Sequence, residues 1–125
     1  MTLLEFGFPP PAKAWSTNQD RQFHHMERSQ LIADWKGATL LHYRSYCNSL
    51  RIGYALPPGI VQVHIPVVDN RRRDPHNYCG TVLKAVIDGL VKAGAWPDDT
   101  PEWVGHREPI LKPGRIVVVE ISEKG

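Results

Sequence analysis

Ile60-Val61-Gln62-Val63-His64-Ile65-Pro66-Val67-Val68 is β-branched and apolar almost throughout, the composition of a strand buried inside a sheet. Leu56-Pro57-Pro58-Gly59 supplies the turn that delivers the chain into it. Polarity then rises abruptly in Asp69-Asn70-Arg71-Arg72-Arg73-Asp74-Pro75-His76-Asn77, after which Val82, Val86, Ile87, Leu90 and Val91 recur at helical spacing. Gly94 marks the end of that helix. A central strand, a charged loop and an amphipathic helix therefore follow one another, and the rest of the chain can be arranged around them.

Upstream, His25 to Tyr46 contains no Gly or Pro except Gly37, and Leu31, Trp35, Ala38 and His42 share one helical face. A long first helix is expected there. Before it, Leu3 to Phe8 reads as a strand with Leu4, Phe6 and Phe8 on one side, ended by Pro9-Pro10-Pro11, which cannot donate ladder hydrogen bonds. Lys13 to Arg21 is polar and turn-prone, expected as a surface loop. Downstream, Trp96-Pro97-Asp98-Asp99-Thr100-Pro101 is a rigid acidic loop. Trp103 to Leu111 and Arg115 to Ser122 are expected as a hairpin joined by Lys112-Pro113-Gly114. The order β-α-β-α-β-β predicts an α+β fold, a mixed β-sheet with two main helices packed on it, in a single domain spanning residues 1–125.

Composition narrows the function classes. Lys and Arg number 15 against 13 Asp and Glu, a net charge of +2, so any polyanion site must come from local clustering rather than a basic chain overall. No apolar run approaches the ~20 residues of a membrane-spanning helix. Met1 to Phe6 lacks a basic segment followed by an apolar stretch, which makes the cytoplasm the expected location. Cys47 and Cys79 are too few for a disulfide scaffold and are expected as reduced thiols on which neither fold nor chemistry depends. His24, His25, His42, His64 and His106 show no common ligand spacing.

The chemistry-bearing residues concentrate at the end of the central strand and beyond the second helix. Asp74-Pro75 is a strong helix start in its own right, with Asp as N-cap and Pro in the first turn. On a helical wheel Asn77, Thr81, Lys84 and Asp88 fall within about 60° of one another, so a Lys and an Asp share a polar stripe. Taken singly, Lys84 and Asp88 are a surface i,i+4 pair, Asp98-Asp99 a turn, and Arg71-Arg72-Arg73 a solvated edge. Their coincidence argues for more. Hard divalent cations take carboxylate oxygens and act on phosphodiesters, and adjacent Arg residues neutralise phosphates with a salt-sensitive gain in affinity. A helix of about 17 residues would hold Asp74 and Asp99 roughly 25 Å apart unless the chain bends or folds back.

Arg71-Arg72-Arg73-Asp74-Pro75-His76-Asn77, then Lys84 and Asp88, then Lys92-Ala93-Gly94-Ala95-Trp96-Pro97-Asp98-Asp99, resembles the RusA-type Holliday-junction resolvases. That family has an Arg-rich approach to Asp-x-Asp-Asn, a Lys and an Asp four apart on the next helix, a Gly near its end, and Asp-Asp. The resemblance implies a magnesium-dependent endonuclease acting as a homodimer on branched DNA in recombination and repair. It implies that Asp74 and Asp99 are metal-binding and catalytic, that Lys84 is the active-site Lys, that Asp88, Asp98 and Asn77 support them, and that Arg71, Arg72 and Arg73 touch DNA.

Two departures stand out. His76 occupies the position of the family's second Asp, which removes a charge and a hard oxygen ligand and favours Mn2+ over Mg2+ if the imidazole coordinates. The spacing from Asn77 to Lys84 is about four residues longer than the family's, which would leave Lys84 on its face but ~6 Å further along the axis. The alternative expectation is a branched-DNA-binding homologue that has lost metal chemistry. A small metal-binding or interaction protein unrelated to DNA is a third.

Overall fold

Strand β2 (Gly59–Val67) is hydrogen-bonded on both edges, as its apolar composition requires. In the computed structural model, which describes residues 1–69 and 72–124, it is the centre of a five-stranded mixed sheet. On one side lies β5 (Val117–Glu123), antiparallel to β2 and in turn antiparallel to β1 (Thr2–Phe8). On the other side β3 (Val104–His106) and β4 (Ile110–Pro113) run parallel to β2, pairing with its first and second halves. Arg107–Pro109 separates these two short strands, since Pro109 has no N–H to donate.

The expected terminal hairpin is therefore not formed, because β4 and β5 lie on opposite edges of β2. The physical reason is the helix between β2 and β3. A strand–helix–strand crossover returns the chain parallel to the strand it left, and a hairpin of the last two strands would have left one edge of apolar β2 without partners. The penultimate strand of the expected order is present, but in two pieces.

One face of the sheet is the floor of the core. Leu4, Phe6 and Phe8 of β1, Val61, Val63 and Ile65 of β2, and Val117, Val119 and Ile121 of β5 are all buried. Helix α2 (His25–Leu50) presents Trp35, Thr39, Tyr43 and Cys47, an i,i+4 row, to this core. The row is displaced from the expected one, in which only Trp35 coincides; Leu31, Ala38 and His42 flank it half-buried. Cys47 is a core residue, so the fold does draw on one of the two thiols.

The segment Lys13 to Arg21 is not a plain surface loop. Trp15 is buried, and Ser16 caps the short helix α1 (Thr17–Asp20) with a reciprocal Ser16–Gln19 capping box. The Trp15 indole N–H donates to Asp20 Oδ1 at 3.0 Å. An apolar anchor inside a polar run pulls the segment onto the body of the protein.

The second helical region is composite. Asp74 caps a 3-10 turn (Pro75–Tyr78), a π-helical turn follows (Cys79–Leu83), and α3 (Lys84–Ala93) completes it. Gly94, at φ 106°, closes α3 in the left-handed conformation that Gly adopts without strain. The Arg44 guanidinium donates from Nε to the Ala93 carbonyl at 3.1 Å, satisfying one of the carbonyls left over at that end.

Candidate active site

The side chains of interest sit where the 75–83 turns, the first half of α3, the 98–100 loop and β3 meet. Asp74 Oδ1 accepts the His76 backbone N–H at 3.0 Å, so one carboxylate oxygen is committed to capping while the residue stays exposed. Asn77 donates its backbone N–H to the Asp74 carbonyl, and its own carbonyl accepts from Thr17 Oγ1 at 3.0 Å. The start of the turn is thus tied to the N-terminal segment. Its far end is tied there too, because the Thr81 hydroxyl donates to the Trp15 carbonyl.

One turn further on, Lys84 Nζ lies 3.7 Å from Asp88 Oδ1. Both residues line a cleft of about 220 Å³ with Asp99, His106, Cys79 and the apolar floor of Leu83, Ile87 and Val104. The π-helical turn Cys79–Leu83 fills most of the span between Asn77 and Lys84. Lys84 shares its cleft with Asp99. Asp74 is not among the residues lining it. Among the described residues, no three His, Cys, Asp or Glu side chains gather closely enough to form a ready-made metal cage.

Asp98 and Asp99 have different surroundings. Thr100 donates to Asp98 Oδ1 from both its hydroxyl (2.6 Å) and its backbone N–H (3.0 Å). These bonds, the hydroxyl's foremost, hold the Asp98 carboxyl below the usual carboxylate range. Asp98 thereby fixes the loop, and Asp99 is the residue offered to the cleft.

The Arg run divides as well. Arg71 lies outside the described residues. Arg72 is exposed, whereas the Arg73 guanidinium is only 14% exposed and pairs with Asp69 Oδ1 at 3.1 Å. Arg73 is thus engaged in holding the loop itself.

Sequence reasoning passed over three residues that the fold brings here. His106 lines the cleft, and Glu108 places Oε1 3.7 Å from His76 Nδ1. Cys79 stands between the two groups. Burial pushes its thiol pKa up, and the charges of Glu108 and then Asp74 push it further. For His106 the signal was available in its two-residue spacing from Val104, which sets both on one side of β3; Glu108 follows outside that strand.

No protein family model matches the chain. The crossover junction endodeoxyribonucleases RusA of Shigella sonnei (strain Ss046), Escherichia coli (strain K12) and Enterobacteria phage 82 are each 34% identical to it over 117 residues, covering 89% of this chain and 91% of theirs. At this identity over about nine-tenths of both chains, the chain belongs to the RusA family of crossover junction endodeoxyribonucleases.

Proposed function

We propose that the chain is a metal-dependent endodeoxyribonuclease that resolves Holliday junctions or related branched DNA by phosphodiester hydrolysis. The observation that carries the reading is the cleft in which Lys84, Asp88 and Asp99 converge, at the end of the turn that Asp74 caps and that the Arg-bearing loop precedes in the chain. The relatives are crossover junction endodeoxyribonucleases, which suggests the reaction and the substrate class.

Asp74 and Asp99 are the residues that would hold Mg2+ or Mn2+, with His76 as a third donor. Magnesium characteristically takes one or two protein carboxylates and completes its shell with water and substrate phosphate, so exposed carboxylates without a closed cage fit it. When bound, the ion supplies an activated water and charge stabilisation at the leaving oxygen. The chain's own part is positional. Lys84 Nζ directs positive charge at a non-bridging phosphate oxygen, and Asp88 restrains its side chain from the next turn. Asp98 sets the loop that presents Asp99. Arg72 docks the DNA backbone.

A four-way junction has two equivalent strands to cut, and a two-fold homodimer carries two equivalent sites, so we propose a homodimer. We also propose a cytoplasmic location. No helix among the described residues is long and apolar enough to cross a membrane.

The test is nicking of a synthetic four-way junction by the purified chain with Mg2+ or Mn2+. Asp74→Asn is expected to lower cleavage by about 100-fold or more while leaving junction binding in place. Equal cleavage by the variant removes the role of Asp74. Binding by the native chain without cleavage in either metal supports a non-catalytic branched-DNA-binding homologue, a reading favoured by His76 in place of the family's Asp.

A further inference from the structure

We infer that Glu108 positions the His76 imidazole, fixing which ring nitrogen faces the site and returning the negative charge that the family's second Asp would have carried. The inference rests on the nuclease reading above. Glu108 Oε1 stands 3.7 Å from His76 Nδ1, and the two residues reach each other from different elements.

Both backbones are anchored, which distinguishes this pair from two long side chains meeting by chance on a surface. The Asp74 carboxylate accepts the backbone N–H of His76, holding it in the first turn. Glu108 is tied to β2 from the other direction. Its carbonyl accepts from Gln62 Nε2 at 3.2 Å, and the preceding Arg107 N–H donates to the Val61 carbonyl at 3.0 Å. Buried Pro109 follows it. The carboxylate is therefore delivered from a backbone held against β2 to a ring whose own backbone is held in the first turn.

The chemistry follows from the imidazole. A neutral ring carries one N–H, and a carboxylate facing Nδ1 favours the tautomer protonated there, which leaves the Nε2 lone pair free. That free nitrogen is the one able to meet a metal ion or take a proton from water. The carboxylate also restores charge. Glu108 and Asp74 both act on the Cys79 thiol, so their negative potentials overlap at the mouth of the cleft. Because both partners are mostly exposed, the pair contributes little to stability, and its effect is expected on metal affinity instead.

The experiment measures the His76 tautomer by long-range nitrogen–proton NMR on the full chain at about pH 8, above imidazole's ordinary titration range. It also measures Mn2+ binding without DNA, by calorimetry or electron paramagnetic resonance. The native chain is expected to show the Nδ1–H tautomer. Glu108→Ala is expected to shift the ring toward Nε2–H and to weaken Mn2+ binding by about 10-fold, the lower end for loss of a residue that orients a ligand. In a His76→Asp background the same substitution should weaken Mn2+ binding clearly less, because only the through-space charge of Glu108 is then lost, whereas a merely structural role for Glu108 would weaken it equally in both. An unchanged tautomer, or equal loss in the two backgrounds, overturns the inference. A chain that neither binds Mn2+ nor cuts a junction overturns the nuclease reading instead, and the tautomer measurement then still decides whether Glu108 orients His76.

Discussion

A Cβ on Gly89 would lie 2.6 Å from the Lys36 carbonyl oxygen and 2.9 Å from Thr39 Cβ, so α3 rests directly on the backbone of α2 at this point. The same close approach sets the height of the polar stripe on the other side of α3, where Lys84 and Asp88 stand. Gly89→Ala should gain about 1 kcal/mol in helix propensity. Pushing the helices apart costs about 1–3 kcal/mol or more, and the opposing atom is backbone that cannot swing away. Net destabilisation is expected, read as a lower urea midpoint. A midpoint at or above that of the native chain would mean that the helices are not in this contact.

Thr81 connects the site to the N-terminal segment. Its hydroxyl donates to the Trp15 carbonyl, and both residues are buried. Thr81→Val keeps the shape and removes the donor, leaving that carbonyl unsatisfied at a cost of about 1–3 kcal/mol. Thr81→Ser keeps the donor and loses a methyl, about 1 kcal/mol. Denaturant titration should therefore rank Val below Ser. The reverse order would show that methyl packing, and not the hydrogen bond, holds Trp15 in place.

Local signals in the sequence reported local structure faithfully. Asp74-Pro75 is a cap and Gly94 a left-handed stop, because each depends only on its immediate backbone. The placement of β2 was legible for a related reason, since its β-branched, apolar composition suits a strand paired along both edges. Strand partnership was not legible. Whether β4 pairs with β5 or with β2 depends on which free edge must be satisfied, a property of the assembled sheet. The same holds within the site. Lys84 and Asp88 share a stripe by helical periodicity alone, but His106 reaches their cleft only once β3 lies against β2. Arg73 shows the limit of reading a charge run by composition. Three neighbouring guanidinium groups look equivalent, yet Asp69 engages this one.

The unequal surroundings of Asp98 and Asp99 predict unequal variants. Asp99→Asn should lower cleavage by about 100-fold or more, as expected for a metal-holding carboxylate. Asp98→Ala should lower it only several-fold, by loosening the loop that presents Asp99. The Thr100 bonds also give a pH dependence of known sign. They depress the Asp98 carboxyl in the folded protein, so their contribution is fully present above the unfolded value of about 3.9 and disappears as pH falls through the lower folded value. The chemical shift of the Thr100 amide should accordingly stay constant from neutral pH down to about 4 and change only in stronger acid. A change centred near neutrality would exclude Asp98 as the acceptor that orders the loop.

Arg72 and Arg73 should separate on a salt titration of junction binding. Each phosphate contact adds close to one unit to the slope of log affinity against log salt concentration. Arg72, exposed beside the site, is expected to contribute such a contact, so Arg72→Ala should reduce the slope by about one and leave stability nearly unchanged. Arg73→Ala should do the opposite. Its guanidinium is mostly covered and paired with Asp69, so its loss removes both that pair and the packing of the stem, lowering stability by about 1 kcal/mol while the salt slope stays close to native. If both variants reduce the slope equally, the Asp69 pair must open when DNA binds, and Arg73 would join Arg72 among the groups that hold the phosphate backbone.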